Sequence, residues 1–168
     1  MMKHMADQGE PKWLKAQRFE RSSTFTVNGT ARDVFPLLCP VREYEWLPGW
    51  ECRMVYSRSG VAELDAVFHT RETHGVPAVW TLITCEPDSE VEYLVVSRRD
   101  AVVRLSLSLA EKKAGTTDLT WRMLFTATSI LARELLPVTF SEKNFLRMMK
   151  DRQAQLNYFL ANGRMITT

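Results

Sequence analysis

Arg152 is the residue with the clearest chemical potential in this sequence, because it interrupts an apolar helical stripe. The stripe follows i, i+3, i+4 and i+7 spacing through Phe145, Met148, Met149, Leu156, Phe159 and Leu160. An unpaired guanidinium among such neighbours is very costly, so Arg152 needs a partner. One interpretation is a structural ion pair or a side chain that reaches solvent past the apolar residues. The alternative is a guanidinium that points into a cavity and binds the carboxylate, phenolate or phosphate of an otherwise apolar ligand.

The sequence contains no recognisable catalytic motif. His69 is predicted on the polar face of a strand and His74 in a loop, and either would need a positioned carboxylate to act as a general base. There is no metal-ligand spacing, glycine-rich phosphate loop or nucleophile elbow. The segment Arg42-Glu43-Tyr44-Glu45 could gate or polarise a ligand, but a solvated short helix over a packed Tyr44 is favoured. We therefore predict no metal and no cofactor, and we name no catalytic residue.

One long C-terminal helix and seven strands are the elements that would position Arg152. Ser141 is a plausible N-cap and Gly163 a stop signal, which predicts a helix over 141–162. Alternation of apolar and polar residues predicts an antiparallel sheet with one apolar face. Its strands are expected at 19–27, 50–57, 62–69, 78–86, 91–98, 101–109 and 117–126.

The connections carry turn and capping signals. Thr30 and Asp33 resemble a capping box that opens a short helix, which Pro36 should shorten or kink. A second short helix is predicted at 41–47, and Ser59-Gly60 should turn a hairpin between the second and third strands. A further helical turn is expected over 129–136, broken by Pro137.

Length and composition favour a single domain with cytoplasmic location. A chain of 168 residues is too short for two ordinary domains, so we expect an arm at 1–18, a domain at 19–163 and a tail at 164–168. No apolar run is long enough to span a membrane, and the polar N-terminus does not resemble a signal peptide.

Charge and cysteine content exclude several partners. The net charge of +2 is spread along the chain, so nucleic acid is not an expected partner. Cys39, Cys52 and Cys85 are odd in number and lack CxxC spacing, which signals neither a disulfide framework nor a zinc site. We expect reduced core thiols, no integral membrane association, and a monomer or homodimer.

The order strand, two short helices, six strands and long helix resembles the α+β helix-grip superfamily. That superfamily includes START lipid-transfer domains, Bet v 1-like proteins and polyketide cyclase/dehydrase-like proteins. The resemblance covers residues 19–162 and is specific for the fold, but no catalytic motif is shared across the superfamily. It is carried by Thr30-Ala31-Arg32-Asp33-Val34-Phe35, Trp46-Leu47-Pro48-Gly49-Trp50, Gly60-Val61-Ala62-Glu63, Trp80 and Trp121.

The resemblance implies a curved sheet that grips the C-terminal helix over a cavity for a hydrophobic small molecule. Many aromatic and methionine side chains are available as apolar walls. The same side chains could instead fill the core and leave no cavity. The predicted ligand-binding residues are Arg152, Trp50, Tyr56, Phe68, Trp80, Trp121, Met149 and Phe145.

We predict a carrier or sensor of a lipid, a polyketide-like molecule or an aromatic acid. The first alternative is an enzyme that orients a polyketide-like chain for cyclisation or dehydration, where positioning supplies much of the catalysis. The second is a protein-interaction role like that of chaperone ATPase activators. An acid/base pair within hydrogen-bond reach in the cavity would favour the enzyme, a single polar anchor the carrier, and a missing cavity the interaction role.

Overall fold

The computed structural model describes residues 17–71, 77–97, 101–112 and 115–166. Within these residues seven strands form one antiparallel sheet. The strands are β1 (Arg18–Val27), β2 (Cys52–Tyr56), β3 (Val67–Thr70), β4 (Ala78–Glu86), β5 (Glu90–Ser97), β6 (Ala101–Glu111) and β7 (Thr117–Ala127). Their order in the sheet is β1-β7-β6-β5-β4-β3-β2, so the edge strands β1 and β2 are consecutive in the chain and farthest apart in the sheet.

The predicted alternation of side chains sets the apolar face of this sheet. On β6, Val103 and Leu107 are buried, and each is paired in register with a buried aromatic residue of β7, Phe125 and Trp121. Successive side chains of a strand point to opposite faces, so this face continues across the sheet and covers the core. The prediction of a seven-stranded antiparallel sheet with one apolar face is confirmed.

Short helices connect the two edge strands. Thr30 caps α1 (Ala31–Val34) and forms the predicted capping box with Asp33. Pro36 then lies in the first turn of a 3₁₀-helix (Phe35–Leu38), where its missing N–H costs least, and α2 (Pro40–Glu43) follows. The helix that Pro36 was expected to shorten or kink is therefore short, as predicted.

The predicted hairpin between the second and third strands is wrong in detail. Residues 57–66 form a loop, and β3 begins at Val67 instead of Ala62. The loop is organised by the Glu63 carboxylate, which accepts hydrogen bonds from the backbone N–H groups of Arg58 and Ser59 and from the Ser57 hydroxyl. These local bonds replace the ladder that a tight hairpin would have formed.

Two helices close the chain, α3 (Ile130–Thr139) and α4 (Glu142–Asn162). The prediction that Pro137 ends α3 is wrong, since the helix continues to Thr139. Proline removes the one bond that its N–H would have donated to the carbonyl of Arg133, and Arg133 is exposed to solvent. The predicted boundaries of α4 are confirmed, including a left-handed Gly163 at its end with a φ of 65°.

The long helix α4 is attached to the edge strand β1 by polar contacts. Gln153 Nε2 donates to the carbonyl of Thr26 at 2.9 Å, and the Asn157 side-chain oxygen accepts from the N–H of Asn28 at 2.8 Å. Phe145, Met149 and Leu156 are buried against the sheet in the same core. These contacts fix which face of α4 is turned toward the sheet.

The two serine caps provide a matched test of local stability. Ser129 Oγ accepts a hydrogen bond from the N–H of Ala132 at 3.1 Å, whereas the side chain of Ser141 makes no capping bond. Ser129→Ala should therefore lower the free energy of unfolding by about 1 kcal/mol, and Ser141→Ala by clearly less. Urea denaturation of both variants checks this; equal losses would contradict it.

Several predicted features lie outside the described residues: residues 1–16 of the N-terminal arm, and His74. His69 is half-buried on the side of β3 opposite the buried Phe68. Cys39, Cys52 and Cys85 are free thiols, but each is half-buried instead of fully in the core. None of the described helices is long and apolar enough to cross a membrane.

Candidate functional site

A cavity of about 190 Å³ lies between the apolar face of the sheet and the helices α2, α3 and α4. Its wall draws on β3 to β7, so residues that are distant in sequence meet around one space. Most of the lining side chains are aromatic or aliphatic. Such a mainly apolar pocket with few polar groups is typical of a small-molecule site.

Four aromatic rings form a packed section of this wall. Phe68 stacks on Trp80 with ring centroids 5.5 Å apart, and Tyr93 meets both rings edge-on at 5.8 and 6.0 Å. Trp50 adds a further edge-on contact to Trp80 at 6.0 Å. Interlocking contacts of this kind restrict ring motion, so this part of the cavity has a defined shape.

The polar atoms of these rings are mostly occupied within the protein. Trp50 Nε1 and the Tyr93 hydroxyl donate to backbone carbonyls at 2.8 and 3.0 Å, and Trp80 Nε1 donates to the Thr70 hydroxyl at 3.0 Å. Trp121 Nε1 is buried and has no hydrogen-bond partner among the described residues. The aromatic wall therefore offers a ligand chiefly apolar surface.

Glu43 is an acidic residue in this apolar wall. It lies on α2, is 7% exposed, and its carboxylate accepts no hydrogen bond and forms no ion pair among the described residues. Burial raises the pKa of Glu43 from 4.5 to about 8, and the positive charge of Arg152 offsets part of that rise. Near neutral pH the Glu43 carboxyl group is therefore protonated in most molecules.

Arg152 reaches the same cavity from α4. Its Nη1 donates to Gln155 Oε1 at 3.0 Å, and within the described part of the chain it forms no ion pair. Burial lowers the pKa of Arg152, while the charges of Glu43 and Asp151 act in the opposite direction. A guanidinium has five N–H donors, so most of them remain available to a ligand. The structural ion pair considered from the sequence is therefore not formed with any of the described residues.

Comparison with solved structures identifies the fold. DynU16, a putative protein in the dynemicin biosynthetic locus, matches with a TM-score of 0.57 and 13% identity over 86% of this chain, which spans only 48% of DynU16. Norcoclaurine synthase from Thalictrum flavum, in complex with dopamine and hydroxybenzaldehyde, matches with a TM-score of 0.65 and 7% identity over 96% of both chains. Ara h 8.0201 matches with a TM-score of 0.58 and 12% identity over 88% of this chain and 99% of its own.

This chain has the helix-grip fold. At these identities the likeness shows the fold alone. No family model matches the sequence, and no curated protein sequence matches it. The helix-grip prediction made from the order of elements is thus confirmed.

Five of the eight predicted ligand-binding residues lie in the wall of the helix-grip cavity: Arg152, Trp50, Phe68, Trp80 and Trp121. Phe145 and Met149 are buried in the core on α4, outside the lining set, and Met148 lines the cavity instead. Tyr56 is 53% exposed on β2 and does not line the cavity. The ligand-binding role of the five wall residues stays a prediction.

A β-bulge explains the position of Tyr56. Met54 pairs with Phe68, but Tyr56 pairs with Val67, so Val55 is an extra residue in the ladder. The bulge moves the Tyr56 side chain to the face opposite that of Met54. Strict alternation from Trp50 onward does not reveal this inserted residue.

Glu43 is a polar wall residue that the sequence reasoning did not select, since a solvated helix was favoured for its segment. A signal for it existed. Pro40 precedes Glu43 by three residues and Leu47 follows it by four, and both are buried. That helical spacing places Glu43 on the buried side of α2.

Proposed function

We propose that this protein binds a hydrophobic or amphipathic small molecule in the helix-grip cavity, with Arg152 holding the polar head of the ligand. The observation that carries this proposal is the apolar cavity of about 190 Å³ with the Arg152 guanidinium in its wall, which no carboxylate in the described part of the chain contacts directly. Charge-assisted hydrogen bonds to a guanidinium suit a carboxylate, phenolate or phosphate.

The cavity volume favours one kind of ligand among those predicted. An apolar cavity of about 150 Å³ is large enough for benzene. The present cavity is somewhat larger, so an aromatic acid with one or two rings fits better than a long lipid. Norcoclaurine synthase, which shares this fold, is described with dopamine and hydroxybenzaldehyde, two molecules of similar size.

A polyketide cyclase/dehydratase-like enzyme is the second candidate, and Glu43 is the observation that favours it. Glu43 brings a carboxyl group to the cavity and Arg152 brings a cation. The two side chains form no hydrogen bond with each other. The binding role therefore remains our first proposal. Cytoplasmic location, the monomeric or homodimeric state and the single-domain boundaries stay predictions from sequence.

Tryptophan fluorescence can test the binding proposal, because three tryptophans lie in the cavity wall. We expect naphthoate to quench or shift the emission saturably, and benzoate to bind more weakly because it buries less apolar surface. Arg152→Leu should weaken naphthoate binding about tenfold or more, because the hydrogen-bonded pair of guanidinium and naphthoate carboxylate is lost. The same variant should bind naphthalenemethanol, which carries no charge, nearly as well as the wild type.

Arg147→Leu is the matched control, since Arg147 is an exposed arginine on the same helix. It should leave naphthoate affinity unchanged. Native mass spectrometry of the same mixtures reports stoichiometry independently of fluorescence. Equal naphthoate affinity in Arg152→Leu and the wild type would contradict the anchoring role, and a failure of all three probes to bind would contradict the proposal as a whole.

A further inference from the structure

We propose that Glu43 and Arg152 form a proton-transfer site, in which Glu43 exchanges a proton with the carbon atom next to a ligand carbonyl whose oxygen is held by Arg152. The substrate class is a small cyclic or aryl ketone. This inference rests on the proposed binding function, because the ketone must first enter the cavity.

The geometry that carries the inference is the placement of two complementary polar groups around one apolar space. Glu43 lines the cavity from α2 and Arg152 lines it from α4, and neither side chain forms an ion pair with another described residue. The other hydrogen-bonding groups of the aromatic wall are largely occupied. A ketone in the cavity therefore meets the Glu43 carboxylate as a proton acceptor and the Arg152 guanidinium as a cationic donor.

The chemistry of the step balances without any further reactant. The Glu43 carboxylate removes a proton from the carbon next to the carbonyl, and the C–H electron pair forms a carbon–carbon double bond. The carbonyl π electrons move to the oxygen, which becomes an enolate stabilised by the Arg152 guanidinium. Return of the proton from Glu43 to the carbon restores the ketone, so the net reaction is proton exchange or keto–enol isomerisation.

The surroundings of Glu43 suit a general base. Arg152 of α4 supplies positive charge, while Cys52 of β2 and Tyr93 of β5 are the titratable neighbours from the sheet. Burial raises the pKa of both Cys52 and Tyr93, with the Glu43 charge contributing, so these two groups stay neutral beside it. Arg71 also lines the cavity and is exposed. A carboxylate stripped of solvent in this way is a stronger base than one in water.

The wall also explains how a ketone would be oriented. Phe68 and Trp80 line the cavity with apolar ring atoms, which suit contact with an aryl ring. Arg152 would then fix the carbonyl end, so that the neighbouring carbon faces Glu43. Holding reactant and base in one geometry lowers the entropic part of the barrier.

Hydrogen–deuterium exchange of β-tetralone tests the inference directly. Proton NMR in deuterium oxide follows the loss of signal from the hydrogen atoms on the carbons next to the carbonyl. We expect the wild type to accelerate this exchange about 10²-fold or more over buffer, a typical contribution of a positioned base. The enzymatic rate should rise with pH and level off above about 8, as Glu43 loses its proton.

Glu43→Gln should return the exchange rate to that of buffer while retaining β-tetralone binding, measured in parallel by tryptophan fluorescence. Glu45→Gln is the matched control, because Glu45 is exposed two residues further along and pairs with Arg42 at 2.6 Å. It should exchange β-tetralone at the wild-type rate.

The outcomes separate this inference from the binding proposal. Binding of β-tetralone by the wild type without accelerated exchange overturns the inference and leaves the binding proposal intact. Accelerated exchange that persists in Glu43→Gln overturns the assignment of Glu43. If neither β-tetralone nor naphthoate binds, both proposals are overturned.

Discussion

Replacement of Glu43 by glutamine is expected to make the protein progressively more stable than the wild type as the pH rises from 4.5 to about 8. The cause is the burial of the Glu43 carboxyl group, which raises its pKa in the folded state. Between the unfolded and folded pKa values, the folded protein holds a proton that the unfolded chain has released. Stability that is fully present below pH 4.5 is therefore lost as the pH rises through about 8.

Glutamine carries no charge at any of these pH values, so Glu43→Gln should lack this loss. The difference in free energy of unfolding between variant and wild type should grow by at most about 1.4 kcal/mol per pH unit in this interval. Urea denaturation at a series of pH values measures it. A difference that stays flat with pH would show that the carboxyl group is solvated in the folded protein.

Glu92→Gln provides a control of opposite sign. Burial opposes ionisation of Glu92, but hydrogen bonds from Arg104, Ser106 and Thr84 outweigh it and lower the pKa. The wild type should therefore lose stability relative to Glu92→Gln only as the solution becomes acidic. The two glutamine variants thus differ in the direction of their pH dependence.

Filling the cavity is expected to stabilise the fold and remove ligand binding together. Ala101 is 3% exposed on β6 and lines the cavity, so Ala101→Leu adds three carbon atoms inside it. Burial of these atoms should raise the free energy of unfolding by about 1–2 kcal/mol if they fit without strain. Naphthoate affinity should fall about 10²-fold or more, because the ligand and the new side chain need the same volume.

Ala110→Leu is the matched control, since Ala110 is exposed on the same strand and does not line the cavity. It should bind naphthoate like the wild type. Thermal denaturation and fluorescence titration of both variants measure the two effects. Wild-type naphthoate affinity in Ala101→Leu would place the binding site elsewhere.

The sequence could predict the fold because its signals were redundant. Separate signals indicated separate elements: alternation indicated the strands, the Thr30–Asp33 capping box indicated α1, and the end signals indicated α4. Together these elements matched the order of the helix-grip fold. The errors in the fold were local. The loop at 57–66 depends on the Glu63 side chain, and side-chain bonds of this kind leave little trace in the pattern of apolar residues.

The site could be predicted only in part, for a related reason. The stripe on α4 showed that one face is apolar, but it did not show which edge of that face borders the cavity. Phe145 and Met149 pack into the core, while Met148 and Arg152, four residues apart, reach the cavity. Such a choice depends on how α4 is rotated against the sheet, which polar contacts such as Gln153 to Thr26 decide.

The pairing of β1 with β7 has a consequence for how the protein forms during synthesis. Strand β1 is synthesised well before its partner β7, which begins at Thr117, and α4 follows β7. Contacts of such long sequence separation form slowly, and the nascent chain exposes an unpaired edge until they do. Arg152 and the helix that carries it are synthesised after all seven strands, so a ribosome-bound chain can capture a ligand only once α4 has emerged.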